Sequence, residues 1–127
     1  MTVARNLVVF FTDQQRWDSC GCYGNPLGLT PRLDAMAARG TRFEHAFTVQ
    51  PVCAPARACL QTGLYATRHG VWRNAIPLDP ALPTLARAFR AAGGFAGYIG
   101  KWHLGDSACH GQTLGDQDPV PPRLRGG

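Results

Sequence analysis

An α/β layered fold is what this sequence predicts, and three observations carry the prediction. Residues 7–11 read Leu-Val-Val-Phe-Phe, an unbroken apolar run of β-formers suited to a strand buried on both faces. Two amphipathic helical patterns follow, one opening at Thr30-Pro31 and the other spanning residues 83–92. The order strand, helix, strand, helix, helix, strand is that of a layered α/β protein.

Each element has its own reason. The first strand stops at Thr12-Asp13-Gln14-Gln15, so polar side chains gather at its C-terminal end, where open α/β sheets bind ligands. A loop containing Gly21, Gly24, Pro26 and Gly28 comes next. The first helix has Thr30 as N-cap, Pro31 at its first position, Asp34 in its first turn and Gly40 as its stop. Its inner face is expected to be Leu33, Met36 and Ala37. Residues 41–47 alternate loosely and suit a second strand, residues 51–55 a turn, and residues 56–61 a short helix ending near Gly63. The helix at 83–92 turns Leu85, Ala88, Phe89 and Ala92 inward and ends at Gly93-Gly94. Residues 95–99 then read as a third strand, with Gly100-Lys101-Trp102-His103 at its C-terminal end.

The 127 residues fit one ordinary domain, and 45% hydrophobic against 17% charged marks a globular chain. The net charge of +5 comes from 13 basic and 8 acidic residues. The arginines are scattered, with no block of like charge, which argues against a nucleic-acid arm and leaves an anionic small molecule as a partner. Lys101 is the only lysine. The run 7–11 is too short for a signal-peptide core or a membrane span, so a cytoplasmic protein with no membrane partner is expected. Five cysteines, an odd number, fit a reducing compartment. Residues 1–105 hold every candidate motif, and the family resemblance those motifs carry implies that this stretch is the N-terminal part of a catalytic domain. Residues 106–127, rich in Gly and Pro and ending Arg-Gly-Gly, read as an irregular segment cut inside a loop of a longer protein.

Three clusters could carry chemistry. Asp13-Gln14 offers a carboxylate and an amide oxygen, hard ligands for Ca²⁺ or Mg²⁺; an Asp after a strand is more often a turn residue or a cap. Cys53-Ala54-Pro55-Ala56-Arg57 places Cys and Arg four residues apart. If a helix begins here they share a face, with Cys53 at the end that favours anions and nucleophiles. Arg57 could then clamp a tetrahedral oxyanion bidentately. The plainer reading is a buried structural cysteine beside a surface arginine. In Gly97-Tyr98-Ile99-Gly100-Lys101-Trp102-His103, Lys101 offers a compact positive charge and His103 a proton-exchanging ring. Their i, i+2 spacing puts both on one side if the segment is extended. His69 and His110 lie outside any matching motif and read as ordinary surface or packing residues. Cys20 and Cys22 form a C-x-C pair with no second pair at zinc spacing, and ordinary free thiols are the expectation there.

Taken together, these motifs resemble a known family. C-x-P-x-R followed by G-Y-x-G-K-W-H resembles the two signatures of the sulfatases, members of the alkaline phosphatase-like superfamily. The opening strand ending in Thr-Asp-Gln, the Thr-Pro helix start and Thr62-Gly63-Leu64-Tyr65 fit the same pattern, collinear over residues 6–105. The resemblance implies an alkaline phosphatase-like layered sheet with flanking helices, incomplete in this chain, and a sulfuric ester hydrolase of arylsulfatase type. It implies that Cys53 is oxidised by a formylglycine-generating maturation enzyme to an aldehyde. One oxygen of the hydrated aldehyde would attack sulfur and displace the alcohol, giving a covalent sulfated intermediate, and the second hydroxyl, once deprotonated, would re-form the aldehyde and expel sulfate. Arg57 would hold the diol and the helix start, Lys101 would neutralise sulfate oxygens, and His103 would help deprotonate the diol. A cation, Ca²⁺ with Mg²⁺ or Mn²⁺ as substitutes, would be held by Asp13, Gln14 and the modified Cys53.

The chain departs from the family pattern at Ala56, where Ser is usual, and at Gln14, where many relatives carry Asp. A neutral amide there implies weaker cation binding. The family's further Asp-Asn or Asp-His metal pair, second Lys and second His come from later sequence, so the piece alone is expected to have half a metal site and little activity. Three other readings remain open. One is a phosphonate monoester or phosphodiester hydrolase using the same motif, and the second a non-catalytic relic that binds an anion. The third is a zinc or redox module on Cys20 and Cys22, for which no bound zinc is expected.

Overall fold

A computed structural model describes residues 6–105 of the chain; the expectations for 106–127, His110 among them, lie outside the described residues. The chain divides into two compact units, one spanning Asn6–Phe47 and the other, as described, residues 48–105.

In the first unit two short 3₁₀ turns, Trp17–Ser19 and Gly21–Tyr23, precede helix α1, Pro31–Arg39. Pro31 opens α1 because it lacks the N–H that a first-turn residue could not pair anyway. Thr30 flanks it as expected, but its side chain does not cap the helix. Instead the Thr30 hydroxyl accepts from the Gly21 N–H (2.9 Å) and donates to Asp34 Oδ1 (3.1 Å), which also accepts from the Cys22 N–H (2.7 Å). Thr30 and Asp34 thus satisfy the backbone of the preceding turn, a nearby and better-aligned set of donors. Arg42 donates to the Cys22 carbonyl, pairs with Glu44 and lies over the Tyr23 ring, 5.1 Å from its centroid. Of the expected inner face of α1, Leu33 and Ala37 are half-buried, whereas Met36 is 61% exposed. That part of the expectation is corrected: the helix packs on the Gly21–Tyr23 turn over a narrower stripe.

The second unit holds α2 (Cys53–Thr62), α3 (Ala66–His69) and α4 (Leu85–Ala91). Helix α2 begins three residues earlier than expected, directly at Cys53, and ends as expected at Gly63. There the left-handed backbone (φ 70°) lets the Gly63 N–H reach the Cys59 carbonyl at 2.8 Å. The single turn α3 was not foreseen; four residues are too few to show a helical period. Helix α4 is shorter than the expected 83–92 because Thr84 is its N-cap, accepting from the Arg87 N–H at 3.3 Å. The core of this unit is small: Ala54, Ala58, Val71 and Leu104, flanked by Ile76, Leu78 and Trp102.

The strands expected at 7–11, 41–47 and 95–99 are not formed. Among the described residues the sole β-type pairing is an isolated bridge at Lys101. Phe10 is 81% exposed and Ile99 fully so, instead of buried. The physical reason is that a strand, unlike a helix, has no hydrogen bonds of its own; it exists only in a ladder with a neighbour, and here none is supplied.

Candidate active site

Helix α2 puts Cys53 at its first position. Val52 before it is extended (φ −131°, ψ 142°), and the first helical bond runs from the Ala56 N–H to the Val52 carbonyl at 2.9 Å. The N–H groups of the first turn therefore face outward from the helix end beside the Cys53 side chain. Pro55 withdraws one of them at no cost, since it would have had no helical partner. Another, that of Ala54, donates to Asn74 Oδ1 at 3.0 Å, so a side chain from 20 residues downstream caps the helix at the end that carries Cys53. Cys53 is half-buried at this helix end.

Arg57 lies one turn along the same face, but it is not a surface residue: only 6% of it is exposed. Its Nη1 donates to the Lys101 carbonyl at 3.0 Å, bridging 44 residues and tying the cysteine motif to the Lys-Trp-His motif. Tyr98 Oη donates to the same carbonyl at 2.6 Å. From there Lys101, Trp102 and His103 are half-buried, and Leu104 plunges into the core at 2% exposure, its carbonyl accepting from the Leu78 N–H at 2.9 Å. His103 has φ 58°, a left-handed backbone that a residue with a Cβ adopts only when its surroundings impose it. The segment is therefore bent, not extended, and the even spacing of Lys101 and His103 does not by itself place them on one side.

Asp13 and Gln14 belong to the first unit, where both are exposed, and Gln14 too is left-handed (φ 58°). The apolar run ends at Phe11, and the bend at Gln14 follows two polar residues later, after Thr12 and Asp13. The carboxylate and amide oxygen of Asp13 and Gln14 suit a hard cation, but among the described residues no cluster of three or more acidic, histidine or cysteine side chains forms a complete metal site.

Two neighbours of α2 were missed in the sequence. His69, expected to be ordinary, is 95% buried, and its Nδ1 accepts from the Val71 N–H at 3.0 Å. The ring proton must then sit on Nε2, which faces Cys59 Sγ at 3.3 Å, so the pair clips α3 to α2. Burial holds the Cys59 thiol above its ordinary pKa and pushes the His69 imidazole below its own, so both are neutral. Asn74 was missed as well, because a cap supplied from a distant loop leaves no local signal. Cys20 is buried and accepts from Gln15 Nε2, and Cys22 faces Asp34, whose negative charge adds to burial in raising its thiol pKa.

Comparison with known proteins accords with this arrangement. The sulfatase family profile matches residues 5–117. Similar proteins include YidJ of Escherichia coli (strain K12), described as an uncharacterized sulfatase, 46% identical over 78% of this chain and 20% of its own length. Human arylsulfatase A is 38% identical over 83% of this chain and 22% of its own. Among solved structures, the phosphonate monoester hydrolase of Agrobacterium radiobacter superposes with a TM-score of 0.68 at 36% identity, covering 88% of this chain and 21% of that one. The chain spans about a fifth of the length of the curated relatives it matches. With the family profile covering most of its residues, and with Cys53 opening a helix whose Arg57 reaches the Lys101 motif, this chain belongs to the sulfatase family.

Proposed function

We propose that the protein hydrolyses sulfate esters, with Cys53 as the precursor of a formylglycine nucleophile. The observation that carries this reading is the hydrogen bond from Arg57 to the Lys101 carbonyl. It joins the residue one turn beyond the nucleophile to the residue expected to neutralise the substrate anion. The reading also draws on the sulfatases among the relatives.

In this reading the helix end and Lys101 supply positive potential for the sulfate oxygens. Arg57 fixes Lys101 and the start of α2, and His103 moves a proton to and from the Cys53 position. The formylglycine would supply a hydrated aldehyde as nucleophile, and a divalent cation a Lewis acid. Asp13 and Gln14 would hold that cation, most simply Ca²⁺, together with the modified Cys53. The apolar runs at 7–11 and 95–99 would become strands of a layered sheet in the whole protein. We place the protein in the cytoplasm, with a maturation enzyme as its macromolecular partner.

The structural similarity to a phosphonate monoester hydrolase favours a second reading, hydrolysis of phosphonate monoesters or phosphodiesters by the same nucleophile. The test is made on the full-length protein co-expressed with a maturation enzyme. Mass spectrometry of the peptide bearing Cys53 should show an aldehyde in place of the thiol. Turnover of an aryl sulfate should exceed that of an aryl phosphodiester, and Cys53→Ala should lower it more than about a thousandfold. A faster phosphodiester reaction would favour the second reading. An unmodified thiol in an active protein would dismiss both.

A further inference from the structure

The Lys101 carbonyl is the meeting point of two donors, Arg57 Nη1 at 3.0 Å and Tyr98 Oη at 2.6 Å. We propose that Tyr98 is a positioning residue of this site. Its hydroxyl fixes the Lys101 peptide and thereby aims the Lys101 and His103 side chains at the substrate anion. The proposal rests on the hydrolase reading above.

The backbone from 98 to 104 does not hold its shape by its own preferences. Gly100 has φ 110° and His103 has φ 58°, the latter a conformation costing on the order of 1–2 kcal/mol for a residue with a side chain. Gly100 adopts its bend freely, but something outside His103 must hold that residue's bend. Downstream the anchor is Leu104, buried in the core and bonded to the Leu78 N–H. Upstream it is the Lys101 carbonyl. Tyr98 reaches that carbonyl across Ile99 and Gly100, closing a hook over residues 98–101, and its ring stands edge-on to Trp102 with centroids 5.1 Å apart. The ring contact and the hydroxyl bond are separable. Tyr98 is 37% exposed, so its hydroxyl has access to water and is not driven onto the carbonyl by burial. Removing the hydroxyl would let the Lys101 peptide turn about Gly100, the most permissive residue in the hook. The charges on either side would move with it, and displacements of an ångström at reacting groups are felt in rate.

The experiment compares the full-length protein with Tyr98→Phe, which keeps the ring, and Tyr98→Met, which removes both ring and hydroxyl. Three quantities are measured: kcat and KM on an aryl sulfate, the affinity for inorganic sulfate by calorimetry, and Tm. The expected result for Tyr98→Phe is a Tm unchanged within about 2 °C. Its kcat/KM and sulfate affinity should both be lower by about three- to tenfold, the weight of one hydrogen bond. Tyr98→Met should lose about as much activity as Tyr98→Phe. Equal kcat/KM and equal sulfate affinity in Tyr98→Phe, with loss confined to Tyr98→Met, would overturn the proposal in favour of ring packing. A fall in Tm that accounts for the whole loss in Tyr98→Phe would overturn it too. If the unsubstituted protein turns over neither ester, the hydrolase reading fails, while the sulfate affinities of the two proteins still decide the role of Tyr98.

Discussion

The Asp34 carboxylate shows how tightly one residue can be specified by its neighbours. Its Oδ1 takes the Cys22 N–H and the Thr30 hydroxyl, and a Cβ on Gly21 would lie 2.4 Å from its Oδ2. Gly21→Ala must push that carboxylate off its donors. We expect a loss of about 1–3 kcal/mol in chemical denaturation; an unchanged midpoint would show that the carboxylate simply swings aside. His69 makes a prediction of a different kind. Burial lowers its pKa from the ordinary 6.5, so the folded state favours the neutral ring. The sign follows: its contribution is complete above pH 6.5 and is lost as pH falls from there through the lower folded value. Tm should therefore drop on acidification below that point, and His69→Gln should flatten the dependence. Of the candidate residues, Cys53, Arg57, Lys101 and His103 could be named from their motifs, and the structure joins Arg57 to the Lys101 backbone; the i, i+2 spacing of Lys101 and His103 was no guide, because the backbone bends at His103. Asn74, Tyr98 and the Cys59–His69 contact were not legible, since each acts through a hydrogen bond that only the folded backbone creates.

At the level of elements the helices were legible and the strands were not. Helix α1 announces itself with Pro31 and Gly40, α2 with Gly63 and α4 with Gly93-Gly94 just beyond its end, all local signals read from a few adjacent residues. The runs at 7–11 and 95–99 have strand composition, but a ladder needs a second chain segment that local composition cannot name. The caps allow a direct comparison. Thr84→Ala should cost about 1 kcal/mol, the usual worth of such a cap, and leave activity of the full-length protein unchanged. Asn74→Ala removes a comparable bond, but from the end of α2 that carries Cys53. It should lower stability by a similar amount and reduce kcat as well. Equal kcat in the two variants would mean that the start of α2 holds its position without Asn74.

Over the whole molecule, large apolar side chains lie open in both units, Val8, Phe10, Phe95 and Ile99 among them. Water contact with that much hydrocarbon is unfavourable, and unpaired β-prone runs invite pairing between copies. The 127-residue chain expressed by itself should self-associate as its concentration rises and bind a hydrophobic dye. Light scattering that stays monomeric at high concentration would contradict this. The guanidinium of Arg57 has a consequence of another sort. By gripping a carbonyl 44 positions away it makes the proposed anion site a distant-contact feature, completed only when a long stretch of chain has been closed. Any partly folded form that keeps α2 but has not closed that stretch would carry Cys53 without the Arg57 link to Lys101, so on the proposed reading binding of inorganic sulfate should emerge late in refolding, after helicity.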